Sequence, residues 1–365
     1  MRRFLLTLIL ICLAVCAFGQ SDKKADTGTV WHEGTEFPLF GKATDQTATA
    51  YDRLPASYEK LIRKRLWNLG RNTAGLYIRF RSDSPYIKLK WTSRFGVKMN
   101  HMPATGIRGL DLYYMAEDGK WYFARNGRPS NDMQTEVTVI SNMDGSMREW
   151  MLYLPLYDGL KELQIGVAKN AVIDQPKENS PKAGNQIVFY GSSIMQGGCV
   201  SRPGALATSI ISRELNREVI NLGFSGNAFL DLEIAELMAQ VESPSLFVLD
   251  YVPNSTADKI RESGEAFFNI LRKAHPDVPV ILVERPIYPH SYLDQRSSAD
   301  IKARNEAQKE LYLKLRKAGQ KKIYYLEAEK ILGKDREGTV DGTHQTDLGA
   351  ERYARAILPL IKKAL

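Results

Sequence analysis

A serine set among glycines stands in Gly191-Ser192-Ser193-Ile194-Met195-Gln196-Gly197-Gly198, and far downstream Val340-Asp341-Gly342-Thr343-His344 places a histidine three residues after an aspartate. These residue types can carry out acyl transfer. A serine hydroxyl is a weak nucleophile until a base takes its proton, and imidazole does this near neutral pH. A carboxylate on the other ring nitrogen fixes the tautomer and stabilises the imidazolium. Ser193, His344 and Asp341 are therefore candidates for nucleophile, base and orienting acid. Acyl transfer also needs donors aimed at the oxyanion of the tetrahedral intermediate. Two intermediate segments can supply them, Gly223-Phe224-Ser225-Gly226-Asn227 and Asp250-Tyr251-Val252-Pro253-Asn254. The backbone N–H of Gly226 and the side-chain amide of Asn254 could converge on Ser193, alongside the N–H of Ser193 itself. The plainer alternative makes Ser193 a turn residue, His344 a helix cap, and Gly226 and Asn254 ordinary turn formers. The serine turn lacks the Lys-Ser/Thr ending of a phosphate-binding loop and the spacing of a dinucleotide fingerprint.

Positioning these residues requires strands whose carboxyl ends lie side by side. From residue 186 onward, apolar strands alternate with amphipathic helices. Strands are expected at Ile187–Tyr190, Val219–Leu222, Leu246–Leu249, Val278–Val283 and Ile323–Leu326, with helices at Ala205–Leu215, Ala257–Ala274, Ile301–Ala318 and Leu348–Ile361. This βαβ alternation predicts a doubly wound parallel sheet of flavodoxin-like type, whose ligands sit beyond the carboxyl ends of the strands. Each candidate segment follows such a strand. Upstream, residues 30–168 carry short alternating runs such as Leu76–Phe80, Tyr86–Trp91, Leu110–Tyr114, Thr135–Ile140, Trp150–Leu154 and Leu163–Val167. They predict an antiparallel β-sandwich, jelly-roll-like, as a separate module. Residues 169–185, rich in Lys, Asn, Pro, Glu and Gly, read as a linker.

The four segments resemble the blocks of the SGNH/GDSL hydrolase family, which supply a serine, a glycine, an asparagine and a histidine in that chain order. The resemblance covers about half the chain. It implies that Ser193 is the nucleophile, that Asp341 and His344 complete a catalytic triad, and that Ser193, Gly226 and Asn254 form the oxyanion hole. Two departures stand out: the usual Gly-Asp-Ser reads Gly191-Ser192-Ser193, and Gly-x-Asn-Asp reads Val252-Pro253-Asn254-Ser255. The upstream run Gly109-Leu110-Asp111-Leu112-Tyr113 resembles the Gly-x-Asp-Leu-Tyr signature of an N-terminal module found with a subset of these esterases. In related two-domain esterases the substrates are often acetylated polysaccharides.

The remaining features bound the reading. At 365 residues the chain exceeds the roughly 100–200 residues of one domain. Met1-Arg2-Arg3, the apolar run to Phe18 and the small residues at Ala17 and Gly19 match a signal peptide over residues 1–19, so export to the periplasm or beyond is expected. Its apolar run is shorter than the ~20 residues that span a bilayer. Of Cys12, Cys16 and Cys199 only the last would survive cleavage, which rules out an internal disulfide and fits a small packed side chain. The net charge of +8, or +6 without Arg2 and Arg3, is spread among carboxylates and does not indicate nucleic acid. No cluster of His, Cys or carboxylate has metal-ligand spacing, so neither metal nor other cofactor is implied. His32, His101, His275 and His290 read as surface or hydrogen-bonded residues, with His101 and His290 able to line a cleft. Trp67, Trp91, Trp121, Trp150, Tyr113 and Tyr114 read as sandwich core rather than sugar-stacking platforms. The expected protein is an exported serine esterase that removes O-acetyl groups from small-molecule or polysaccharide carbohydrate esters. It has no stable membrane span after cleavage, and its oligomeric state is left open. Two alternatives stand beside it: a lipid esterase or thioesterase of the same fold, and an inactive glycan-binding protein.

Overall fold

The structure is a computed structural model and describes residues 28–365. The expected signal segment, with Cys12 and Cys16, lies outside the described residues. The first half forms β1 (Thr29–Glu33), β2 (Leu39–Phe40), β3 (Tyr77–Ser82), β4 (Ile87–Ser93), β5 (Leu110–Met115), β6 (Trp121–Gly127), β7 (Gln134–Ile140), β8 (Arg148–Tyr153), β9 (Leu160–Ala168) and β10 (Ile173–Asp174). One antiparallel sheet has the order β1-β9-β4-β7 and the other β10-β3-β8-β5-β6, with β2 paired to β3. In β4 every second residue is buried, Ile87, Leu89 and Trp91 among them. Such a period of two gives a strand one apolar face. These side chains meet Ile78, Phe80, Leu112, Trp150 and Leu152 of the facing sheet in a shared core.

Strands β3, β5 and β8 depart from simple alternation because their sheet is covered twice. Tyr77, Tyr113, Met151 and Tyr153 point away from the sandwich core and form their own buried cluster with Trp121. What covers them is the second half of the chain: the Arg213 guanidinium lies 4.5 Å from the ring centre of Tyr113 and 5.5 Å from that of Tyr153. The aromatic residues therefore divide. Trp91 and Trp150 are in the sandwich core, with Tyr114 packed partly against it. Trp121 and Tyr113 belong to the outer cluster, and Trp67, on the short helix α1 (Lys64–Gly70), is buried in the core of the parallel sheet instead. Residues 41–75 leave the sandwich sheets: Tyr51 still packs into the sandwich core, but Leu54, Tyr58 and Leu66 from this stretch lie in that second core. The expected linker is partly ordered into sheets, since β10 pairs with β3 and β11 (Lys182–Gly191) begins within it.

The second half adds β12 (Arg217–Gly223), β13 (Pro244–Asp250), β14 (Val280–Val283) and β15 (Ile323–Leu326) in the parallel order β12-β11-β13-β14-β15. This is the doubly wound flavodoxin-like order, with a topological switch beside β11. After α2 (Ala104–Ile107) in the sandwich half come α3 (Ser193–Gln196), α4 (Ala207–Leu215), α5 (Leu232–Ala239), α6 (Ala257–Ala274), α7 (Gln295–Lys317) and α8 (Asp347–Ala364). Alternate residues of each strand feed opposite cores. Val188, Ile220, Phe247 and Leu282 pack with α5, α6 and α7, while Ile187, Phe189, Val248 and Ile281 pack with α4 and α8. Helix α6 shows the cause in small compass. The Thr256 hydroxyl caps it by accepting from the Lys259 N–H, and Ile260, Phe267, Phe268 and Leu271 line its buried stripe. Helix α5 is not among the elements expected from the sequence, because its eight residues are too few for a clear period. No helix among the described residues is long and apolar enough to cross a membrane.

Candidate active site

Strand β11 ends at Gly191 and the chain turns at once into α3. The Ser192 hydroxyl caps this turn by accepting from the Ile194 N–H at 3.3 Å, which leaves Ser193 at the first helical position above the sheet. The turn is pressed against the end of β12, where a Cβ on Gly223 would strike the backbone of Met195 and Gln196. Only glycine allows so close an approach.

The loop before α8 brings His344 onto Ser193 across 151 positions of sequence: Nε2 is 2.9 Å from Ser193 Oγ. The other ring nitrogen, Nδ1, is 2.7 Å from Asp341 Oδ2. Asp341 Oδ1 in turn accepts the backbone N–H of His344 at 2.7 Å and of Thr343 at 3.0 Å. Burial by itself would raise the Asp341 carboxyl, but the His344 ring and these two N–H groups outweigh it and hold the group down at about 2. A charged Asp341 across the physiological range keeps a proton on Nδ1 and leaves Nε2 to accept one from Ser193. Ser193, His344 and Asp341 are thus brought together in the order the sequence suggested.

The loops that carry Gly226 and Asn254 are tied to the serine turn and to each other. Gly226 has φ +64°, and its absent Cβ would find nothing nearer than Arg65 Nη2 at 4.0 Å. Conformation rather than crowding requires glycine there. The N–H of the preceding Ser225 donates to Gln196 Oε1 at 2.8 Å, which ties this loop to the serine turn. Asn254 Oδ1 accepts the Ala228 N–H at 3.2 Å, and Ser255 Oγ donates to the Ala228 carbonyl at 2.9 Å. The contact to Ala228 uses the Asn254 oxygen and not its NH₂. Asp250, which ends β13, is wholly buried; burial pushes its carboxyl up to about 7, partly offset by the Tyr353 hydroxyl that donates to it at 2.8 Å.

Several residues that support the site had no signal in the sequence, because they stand on loops of the other half. Gln196 Nε2 donates to Asn72 Oδ1 and to the Leu156 carbonyl. The Tyr157 hydroxyl donates to the Ser193 carbonyl at 3.3 Å. Arg53 is buried and donates to the carbonyls of Leu69, Asn72, Asn221 and Gly223, closing the carboxyl end of β12. Gln196 alone could have been suspected, from its place in the serine turn.

A cavity of about 300 Å³ adjoins the site, lined by Leu69, Phe95, Val97, Met99, Tyr157 and Ser225 among others. Linear spacing also hid a grouping: His101 comes within 5.9 Å of His344, ring centre to ring centre, and both gather with Cys199. The Cys199 thiol is buried and pushed up to about 12, by burial and by Asp341 nearby. His290 lies by the Asp341–His344 turn, its Nε2 on Ser297 Oγ at 3.0 Å. His32 pairs with Glu36 and His275 with the Ala239 carbonyl, both away from the site.

Comparison with known proteins agrees with this architecture. Residues 184–362 match the model of the GDSL-like lipase/acylhydrolase family, and residues 29–173 match that of the N-terminus of SGNH-hydrolase-type esterases, named for the Gly-x-Asp-Leu-Tyr motif. A comparison with curated protein sequences finds no match. Among solved structures, a protein from Bacteroides ovatus assigned as a GDSL-like lipase is 36% identical with a TM-score of 0.87, over 92% of this chain and 98% of that one. A salicylyl-acyltransferase from a tetracycline biosynthetic pathway shares the fold at 18% identity and TM-score 0.74, over 91% of this chain and 97% of that one. A family two carbohydrate esterase from Cellvibrio japonicus shares it at 11% identity and TM-score 0.57, over 92% and 98% respectively. By its two matched segments and by the relative that it parallels over nearly its whole length, the chain belongs to the GDSL-like lipase/acylhydrolase family, with the Gly-x-Asp-Leu-Tyr module of SGNH-type esterases at its N-terminus.

Proposed function

We propose that this protein is an exported serine esterase that removes O-acetyl groups from carbohydrate through an acyl-enzyme. The observation that carries the mechanism is the chain of hydrogen bonds from Ser193 Oγ through His344 to Asp341, at 2.9 and 2.7 Å. Ser193 Oγ attacks the ester carbonyl carbon while His344 Nε2 takes its proton, and Asp341 stabilises the imidazolium. The N–H groups of Ser193 and Gly226 and the amide of Asn254 meet the oxyanion. His344 returns the proton to the leaving alcohol, and a water activated by the same ring releases the acid. The carbohydrate assignment draws support from carbohydrate esterases that share the two-part fold. Export draws on the leader-like residues 1–19.

One feature favours a second reading. The cavity that reaches Tyr157 and Ser225, both bonded to the serine turn, has an apolar wall of Phe95, Val97, Met99 and Leu69, and could hold an acyl or aryl group larger than acetyl. Acid release by the wild type and Ser193→Ala, from 4-nitrophenyl esters of rising chain length and a panel of acetylated polysaccharides, tests both. Activity on acetyl esters that is lost in the variant supports the proposal, and a preference for long or aromatic acyl groups transfers it to the second reading. Equal activity in both proteins, or glycan binding without turnover, overturns the mechanism.

A further inference from the structure

Three loops distant in sequence place His101, Cys199 and His344 so that one ligand atom from each lies within 4.8 Å of the others. We propose that this trio is a binding site for a single borderline-soft divalent cation, zinc above all, and that its occupancy switches the serine off. Two imidazoles and a thiol are a nitrogen–sulfur set that suits zinc and does not suit magnesium or calcium. Tetrahedral zinc with bonds of about 2.0–2.3 Å spaces its ligand atoms by about 3.3–3.6 Å, so closure needs a shift of about 1 Å. His101 can supply that shift because it is exposed, on the loop before α2, and it also leaves the site open to solvent.

Both imidazoles are held at the nitrogen a metal would not use. Asp341 engages Nδ1 of His344 at 2.7 Å, and Asn100 Oδ1 lies 3.0 Å from Nδ1 of His101. Each ring is left with Nε2 as its ligand, and a carboxylate behind a metal-bound histidine orients it and raises its basicity. Cys199 closes the floor of the site, its backbone N–H held by the Gln345 carbonyl at 3.0 Å next to His344. On binding, the cation takes the lone pairs of the two Nε2 atoms and replaces the proton of the Cys199 thiol, which passes to solvent. The lone pair taken from His344 is the one that accepts the proton of Ser193 Oγ. Metal binding and turnover therefore exclude each other, and the fourth position on the cation is left to water. The inhibitory consequence rests on the esterase reading, whereas the metal site does not.

The test separates the two. Zinc binding to full-length Ser193→Ala, which keeps all three ligands, is measured by competition with a chromophoric chelator. One equivalent should bind, and adding His101→Gln or Cys199→Ser should weaken it by about tenfold or more. On the Ser193 protein, zinc should inhibit hydrolysis of 4-nitrophenyl acetate, with full recovery on chelation and no effect of magnesium. His101→Gln and Cys199→Ser should keep basal hydrolysis and shift the inhibitory zinc concentration upward by a similar factor. Cys199→Ala is the second variant should serine disturb packing. Failure of Ser193→Ala to bind one equivalent, or equal binding in the ligand variants, overturns the site. Binding without inhibition overturns the switch. An inactive wild type that still binds zinc through these residues refutes the esterase reading and leaves the site standing.

Discussion

The parallel-sheet half of the molecule supplies Ser193, His344 and Asp341, while the residues before it supply none of the three and yet hold them from two sides. Around the serine, Asn72, Leu156 and Tyr157 reach across to Gln196 and Ser193, and Arg53 closes the end of β12. Farther off, the Gly-x-Asp-Leu-Tyr segment grips the chain between α3 and α4. Buried Asp111 accepts from Arg202 at 2.9 Å, from the Gly204 N–H at 2.7 Å and from Asn126 at 2.7 Å, and Tyr113 meets Arg202 through its hydroxyl at 2.6 Å. The two regions differ in what a lost side chain removes. In one it removes a member of the hydrogen-bonded chain from Ser193 through His344 to Asp341; in the other it leaves buried polar groups without partners. Preorganised sites need both, because donors and bases act only when held in place.

The largest effect is expected in the parallel-sheet half. His344→Ala should lower kcat by on the order of 10⁴–10⁶-fold and Asp341→Asn by about 10⁴-fold, with thermal unfolding nearly unchanged. Comparable losses of stability in these variants would erase the contrast. In the upstream half, Arg53→Met abandons four carbonyls, three of them buried, and should reduce the unfolding free energy by about 3–5 kcal/mol in urea titrations. Asp111→Ala leaves Arg202 without its carboxylate and should cost about 2–4 kcal/mol while kcat on 4-nitrophenyl acetate stays within a few-fold. A large fall in kcat without a fall in stability would show that the clamp takes part in the chemistry.

Gly226→Ala sharpens the comparison at smaller scale. The position has space for a methyl group but a left-handed backbone, so a strain of about 1–2 kcal/mol should appear as a roughly tenfold loss of kcat at nearly constant KM. The smallest effect concerns pH. Asp250 is held near 7 when folded against 3.8 ordinarily. Between those values the unfolded chain gives up a proton that the folded one keeps, so this group's stabilising contribution is present below about pH 4 and is lost as pH rises through 7. Asp250→Asn should flatten the stability profile between pH 4 and 7 and raise the melting temperature at pH 8. An unchanged slope would assign the pH dependence elsewhere.

Legibility in the sequence followed range. The helix expected at Ala257–Ala274 and the strand at Ile323–Leu326 are found with those bounds, whereas α7, expected from Ile301, already begins at Gln295. Their periods are local and persist over several turns or alternations. The four site segments could be read because three are short runs just past strand ends and the fourth is the turn that enters α8, on the loops where fold rules say reacting groups gather. Trp67 could not be placed from an alternating pattern, because what covers it is the parallel sheet and not a neighbouring strand. The continuous burial of β3, β5 and β8 had the same origin, a second covering layer that no pattern within those strands names.

The residue order by itself determined the two kinds of sheet, the succession of βα units, and the presence of a serine, a glycine, an asparagine and an Asp–His pair at the ends of successive elements. Only the tertiary structure decided that Ser193 and His344 stand 2.9 Å apart, that Gln196 is steadied from Asn72, and that His101 and Cys199 join His344 in one cluster. The reason is physical. Periodicity records which face of an element is buried, a property of neighbours three or four residues away. Hydrogen bonds and ligand groupings between loops depend on distances of an ångström set by the packing of the whole chain.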